Sequence, residues 1–306
     1  MFKLLKIKNG FRVKEISACS IMQNIIPDVF LSGITDNFEA VFVNSGGLTV
    51  TVGERIFECR SGTAVIFEPD VLHCVKLSKN EYTEYAFFSF KAEYDFDFKI
   101  EFPVVQLSVF QKQLLLTATD MIAEAKEYNN VLPKTVTENS LTQVKLAVAI
   151  ELLMLELKEN NSYINELTSQ NAVNFKSAVA EMQKAVLSKL SVNELAENLG
   201  VSLSYLKRLF SSYCNVGAHE YYMQLKIIEA KRMLKNGTSV TETALLTGFN
   251  NQNYFSAAFK RITGVLPKEY CGKLKNQAVK IKSDTVKAAP QKQKPSNNSD
   301  MPSYLL

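Results

Sequence analysis

Two segments in the C-terminal third share one helix–glycine–helix pattern, and that repeat limits the possible folds more than any other feature of the chain. The first runs from Leu190 to Phe210, the second from Ser239 to Arg261. Each opens on a hydroxyl residue, Ser191 or Ser239, suited to capping a helix N-terminus. A glutamate follows three residues later, Glu194 or Glu242, as in a capping box. Ala196 and Ala244 sit mid-helix, where two helices must approach closely. Four residues on, Gly200 and Gly248 can take the left-handed conformation that ends a helix. A second apolar-periodic helix follows, with Leu203, Leu206, Leu209 and Phe210 in one copy and Tyr254, Phe255, Ala258 and Phe259 in the other. A bent helix pair of this kind can present its second helix to a DNA major groove. One copy would say little, since many two-helix corners look alike. Two copies with the same Ala-to-Gly spacing say much more.

Between them, Ala218 to Lys235 reads as one helix whose Tyr222, Leu225, Ile228, Ala230 and Leu234 can pack against both units. Its 18 residues span roughly 27 Å. That could hold two recognition helices near the roughly 34 Å repeat of one duplex turn.

Charge is distributed accordingly. Residues 1–185 carry 18 Lys and Arg against 23 Asp and Glu, whereas residues 186–275 carry 12 against 6. The basic part is the part with the repeated pattern, and a polyanion is the simplest partner for it. On the first second-position helix, Ser204, Lys207 and Arg208 are left outward. On the other, Asn251, Gln252, Asn253, Ser256 and Lys260 are outward. Arg and Lys suit guanine N7 and O6, and Asn and Gln suit adenine N6 and N7. Each of these residues could instead be solvated or touch only phosphate.

The residues Glu194-Leu-Ala196, Gly200-Val-Ser202, Tyr205-Leu206, Leu209-Phe210, Glu220-Tyr221, Ala230, Gly248-Phe249, Tyr254-Phe255, Phe259-Lys260, Gly264, Pro267 and Glu269-Tyr270 resemble the DNA-binding domain of AraC/XylS-type transcription regulators. The resemblance implies base contacts at Ser204, Lys207, Arg208, Gln252, Asn253 and Ala257. The chain departs from the family's pattern at Asn215 (usually Gly), Thr243 (usually branched apolar), Ala257 (often Arg) and Cys271 (usually Arg). Weaker DNA contact by the second unit and looser packing around Thr243 are the expected consequences.

Residues 1 to about 105 read as β-rich. Strands are expected at Phe38–Val43, Leu48–Val52, Arg55–Cys59, Thr63–Phe67, Val71–Val75 and Tyr82–Phe90, with a two-residue turn at Gly53-Glu54. Their order resembles the cupin-like sensing domain common in that family, which implies a β-barrel with an effector pocket inside. The chain has two histidines, His73 and His219, in different expected domains, so a His-rich metal site is not expected. His73 is the candidate effector contact; the alternative is an ordinary strand-end imidazole.

Helical periodicity takes over from residue 106, in a segment around Val109–Ala125 and, past Pro133, in Leu141–Leu157, which is apolar around more than half its circumference. One face can cover the barrel and another can pack on a second subunit. The five cysteines are scattered without a CxxC pair and read as free thiols.

The expected fold is therefore α+β in two domains, a cupin-like β-barrel with following helices and an all-α domain with two helix–turn–helix units. The expected boundaries are 1–160, a linker at 161–173, the DNA-binding domain at 174–272 and a basic, disordered tail at 273–306. The chain is expected to be a cytoplasmic, homodimeric, sequence-specific regulator of double-stranded DNA, an activator working with RNA polymerase. It needs no cofactor and no metal, has no membrane span, and answers to a small-molecule effector. Control by a protein partner is an open alternative. A fused DNA-repair alkyltransferase would need a clustered Cys set or a Pro-Cys-His motif, and neither occurs. A cupin enzyme is disfavoured by the missing histidines.

Overall fold

The computed structural model describes residues 10–24, 29–77, 81–94, 102–129, 141–159 and 162–274. The expectations placed on Pro133 and on most of the tail lie outside these residues. The strands are β1 (Arg12–Asn24), β2 (Val29–Gly33), β3 (Phe38–Ser45), β4 (Gly47–Val52), β5 (Arg55–Arg60), β6 (Thr63–Phe67), β7 (His73–Leu77), β8 (Thr83–Glu93) and β9 (Val104–Gln106). Two helices follow, α1 (Val109–Asn129) and α2 (Leu141–Glu159), then a short β10 (Ser162–Tyr163). The remainder is helical: α3 (Gln170–Lys184), α4 (Val192–Asn198), α5 (Leu203–Cys214), α6 (Ala218–Lys235), α7 (Val240–Leu246), α8 (Gln252–Thr263) and a last helical segment over 267–274.

The β region is not a closed barrel. The described strands form two sheets, one in the order β1-β8-β3-β6-β9-β10 and one in the order β2-β7-β4-β5. The connections from β3 to β4 and from β5 to β6 step between sheets, so the strands on either side meet face to face rather than edge to edge. Between the sheets lie Val41, Val43, Val65, Phe67 and Tyr85 from the larger and Leu48, Val50, Phe57, Cys59, Val75 and Leu77 from the smaller. The opposite face of the larger sheet is also apolar: Phe38, Ala40, Phe42, Ile66, Phe88 and Phe90 pack with Leu115, Leu146, Ile150, Leu153 and Leu157 of α1 and α2. That double burial explains why Ala40–Val43 is an unbroken apolar run instead of an alternating one.

The outer face of the smaller sheet is covered too. Ile56, Leu72 and Cys74 share a core with Phe175, Leu195, Leu206, Phe210 and Tyr221 of α3 to α6. The molecule is thus layered: α1 and α2, larger sheet, smaller sheet, first helix–turn–helix unit. The interval expected as the linker, 161–173, makes contacts with these layers. Ser162 and Tyr163 pair with β9, Leu167 N–H donates to Ile56 O at 2.8 Å, and Arg55 Nε donates to Glu166 at 2.7 Å. Helix α3 starts at Gln170, four residues before the expected domain start at 174, because Ser169 accepts from Ala172 N–H and caps it.

Candidate nucleic-acid interface

Each helix–turn–helix unit is built from the caps that its sequence supplies. Ser191 accepts from Glu194 N–H at 3.1 Å while Glu194 accepts from Ser191 N–H at 2.7 Å, a complete capping box. Those hydrogen bonds hold the Glu194 carboxyl below its ordinary value. In the second unit Ser239 accepts from Glu242 N–H at 3.2 Å. Gly200 and Gly248 take φ of 64° and 71°, as a helix-ending glycine does. Ser202 and Asn251 cap α5 and α8, the second helices of the two units. Asn215, where glycine is usual, ends α5 in the left-handed conformation at φ 53°.

Helix α5 buries Leu206, Leu209, Phe210 and Cys214 and exposes Ser204, Lys207, Arg208 and Ser211. Helix α8 buries Phe255, Ala258 and Phe259 and exposes Asn253, Ala257, Lys260 and Arg261, with Gln252 and Ser256 half-buried. Two expected core residues face solvent instead: Leu203 is 41% and Tyr254 50% exposed. Both lie in the first turn of their helices, ahead of the face that packs.

Among the described residues, Lys207, Arg208 and Lys260 make no ion pair, so their charges are available to phosphate or base. Arg261 is not equivalent to them, since its guanidinium bonds Glu220 of α6 at 2.6 Å. Asn251 has its side-chain oxygen committed to Tyr254 N–H at 2.8 Å, and Gln252 accepts from Thr241 at 2.9 Å. Thr243 is fully buried, and its hydroxyl has no hydrogen-bond partner among the described residues.

The far end of α5 is held by the β region. Its last-turn carbonyls, which an isolated helix leaves unpaired, accept from Lys76 Nζ at Ser212 (2.7 Å) and from Thr51 Oγ1 at Tyr213 (3.1 Å). The lysine also matches the negative end of the helix dipole. Tyr221 Oη of α6 donates to Gly53 O at 2.8 Å. The two contacts to α5 lie in its last turn, past Lys207 and Arg208 in the chain. Nothing in local sequence pattern announces them, because their partners are more than 130 residues apart.

His73, the candidate effector contact, is 3% exposed and lies between the sheets. Its Nε2 is 2.8 Å from Glu39 of β3, its Nδ1 is 2.9 Å from Val71 O, and its ring stacks on Phe67 at 3.9 Å. Its polar atoms are thus occupied by the protein. A cleft of about 150 Å³ lies elsewhere, where the sheet meets α3, lined by Glu54, Ile56, Glu166, Leu167, Ala172 and Lys176. This is smaller than the roughly 300 Å³ at which drug-sized sites begin. No group of His, Cys, Asp and Glu among the described residues could hold a metal ion, and no helix among them is long and apolar enough to cross a membrane.

Residues 195–273 match the family model described as a helix-turn-helix domain. Over 115 residues the chain is 33% identical to an uncharacterized HTH-type transcriptional regulator of Pseudoalteromonas carrageenovora, covering 38% of this chain and 65% of that protein. It is 22% identical over 253 residues to the Msm operon regulatory protein of Streptococcus mutans, covering 79% of this chain and 87% of that protein. A solved transcriptional regulator from Chromobacterium violaceum, of the AraC-type DNA-binding-domain proteins, aligns at 26% identity and a TM-score of 0.32, over 33% of this chain and 92% of its own. Four curated relatives that match over 107 to 129 residues are spanned for 29% to 65% of their own length.

Proposed function

We propose that the chain is an AraC-type helix-turn-helix transcription regulator, on the strength of its residues 195–273, and that one chain reads two successive major grooves with α5 and α8. The observation that carries this is the pair of outward polar faces, Ser204, Lys207 and Arg208 on one helix and Gln252, Asn253 and Lys260 on the other, joined by α6. Arg208 and Lys207 suit guanine, Gln252 and Asn253 suit adenine, and Lys260 suits phosphate. Asn251, committed to its cap, contributes by fixing the start of α8.

In this reading the chain acts in the cytoplasm as a homodimeric activator that meets RNA polymerase at a promoter. The β region, packed directly on the first unit, transmits an effector signal to it. Two routes are open to that signal. The occupied His73 and the side chains filling the space between the sheets favour a protein partner on the outer surface. A small molecule would instead enter at the cleft beside α3, touching Glu166 and Lys176. A thermal-shift screen of the full chain against sugars, fatty acids and peptides separates them, since a ligand of the folded state raises its melting temperature.

Selection from a random duplex library tests the DNA reading. The expected product is a bipartite motif whose halves are centred about one helical turn apart. Enrichment of no sequence, or of a single undivided half, would count against it.

A further inference from the structure

The two helix–turn–helix units have separate cores. Helix α6 serves both, giving Tyr221, Tyr222 and Leu225 to the first and Met223, Ile227, Ala230 and Leu234 to the second. At its middle, on a stripe otherwise apolar, stands Lys226, 5% exposed. Its Nζ donates to Ser188 O at 2.6 Å and to Thr247 O at 2.7 Å. Ser188 belongs to the loop that enters the first unit, between α3 and α4. Thr247 ends α7, in the turn of the second. One ammonium therefore ties together the backbones of the two units.

The glycines of the two turns confirm how close that approach is. A Cβ on Gly200 would meet nothing within 4 Å, so that glycine is needed for its positive φ alone. A Cβ on Gly248 would lie 2.9 Å from Ser188 O and 3.1 Å from Lys226 Nζ. The second unit's turn is pressed against the first unit's entry loop, and the first unit's turn has no matching contact. Tyr222, one helical turn before Lys226, supports the same loop, its Oη lying 2.5 Å from Ala185 O and 3.1 Å from Ser188 O. The aromatic rings of Tyr222 and Phe249 flank the ammonium at 4.9 and 5.9 Å. Burial lowers the Lys226 pKa to about 8, with Lys189 adding to the effect. The neutral amine still has two N–H donors for its two carbonyls, so the tie does not depend on charge.

We propose that Lys226 is a positioning residue that sets the separation of the two recognition helices, so that the chain accepts two half-sites at one spacing only. The inference rests on the reading of α5 and α8 as DNA-reading helices. A buried lysine holding two loops for stability alone would leave spacing preference untouched, and this is what separates the two roles.

The test uses the full chain and duplexes enriched by the wild type from a random library, rebuilt with one or two base pairs inserted or removed between the halves. Wild type should lose about tenfold in affinity for each one-base-pair change, as for a mismatched pair. Lys226→Met should flatten that loss to within about threefold, and Lys226→Arg, whose guanidinium can also serve two carbonyls, should restore it. Gly248→Ala keeps the lysine but, at a left-handed backbone position, sets a Cβ against both Ser188 O and the Lys226 ammonium, driving Ser188 and the second turn apart. It should move or widen the preferred spacing, which keeps the test decisive if the methionine variant does not fold. A spacing profile unchanged from wild type in the folded variants overturns the proposal. A wild type that enriches no bipartite sequence overturns the DNA reading itself, before any variant is made.

Discussion

Lys231 of α6 lies 2.6 Å from Asp36, on the loop before β3, and the same ammonium pairs with Asp70, on the loop before β7. Lys235 pairs with Asp70 as well. The Lys231 side chain is 4% exposed, so the DNA-binding half places a buried charge against the β half, which answers with two carboxylates. Removing both leaves that charge uncompensated. The double variant Asp36→Asn, Asp70→Asn should lose about 3 kcal/mol in urea unfolding. Part of that loss should be sensitive to acid. Burial pushes the Asp70 carboxyl up, but the hydrogen bonds and charges of Lys231 and Lys235 outweigh it and hold it below its ordinary 3.8. A carboxyl depressed in the folded state contributes stability above its unfolded value and loses it as pH falls through its folded value. Wild type should therefore lose more stability than the double variant between pH 4 and the acid end of the titration. Parallel acid limbs in the two proteins would show that the pair contributes nothing.

Arg208 and Lys273 should behave differently on DNA. Arg208 is exposed on α5 and unpaired among the described residues, and a bidentate guanine contact would be worth about 1–3 kcal/mol of discrimination. Arg208→Ala should relax preference at one base position, whereas Lys273→Ala should weaken all sequences alike. Competition against single-base operator variants reads this directly. Uniform loss for the Arg208 variant, with base preferences intact, would make Arg208 a phosphate anchor. In both proteins affinity should fall steeply as salt rises.

Helix α2 carries an apolar stripe that none of the described residues covers. Leu141, Val144, Val148 and Leu152 are 70%, 48%, 53% and 39% exposed, while Leu146, Ile150, Leu153 and Leu157 are buried on the opposite side. Spaced by three and four residues, the exposed set forms one face. Leu141→Glu with Leu152→Glu should convert a dimer to a monomer in sedimentation velocity without loss of helix signal. A wild type that stays monomeric at high micromolar concentration, even with DNA, would sink the idea.

Thr243 offers a stability gain. The residue is fully buried, and its hydroxyl has no hydrogen-bond partner among the described residues. Thr243→Val keeps the shape and removes the unsatisfied group, so thermal or urea unfolding should show a gain of about 1 kcal/mol. A loss of similar size would mean that the hydroxyl is hydrogen-bonded in solution.

Much of the helical half was legible residue by residue. Caps, positive-φ glycines and helix periodicity are local properties, set by a few consecutive residues, and Ser191, Gly200, Ser239 and Gly248 do in the structure what their types imply. The β half was legible only in its central strands. β1 shows no period of two because register shifts between Val13 and Glu15 and between Ile16 and Ala18 spread its inward residues to Val13, Ile16 and Cys19, opposite Ala92, Phe90 and Phe88. A bulge adds a residue that no alternation can reveal.

Sequence by itself determined the two helix–turn–helix units and their order around α6, since each follows from contacts between near neighbours in the chain. Only the tertiary structure decided that the sheets stay open and pack face to face, and that His73 is occupied by Glu39. It alone decided that Thr51 and Lys76 hold the end of α5, and that Lys226 and Lys231 spend their charge inside the molecule. Most of these pairings join residues from 34 to 195 positions apart, and a lysine destined for a buried carbonyl or carboxylate has the same letter as one destined for solvent. What separates them is the desolvation that packing imposes, which exists only once the layers have met.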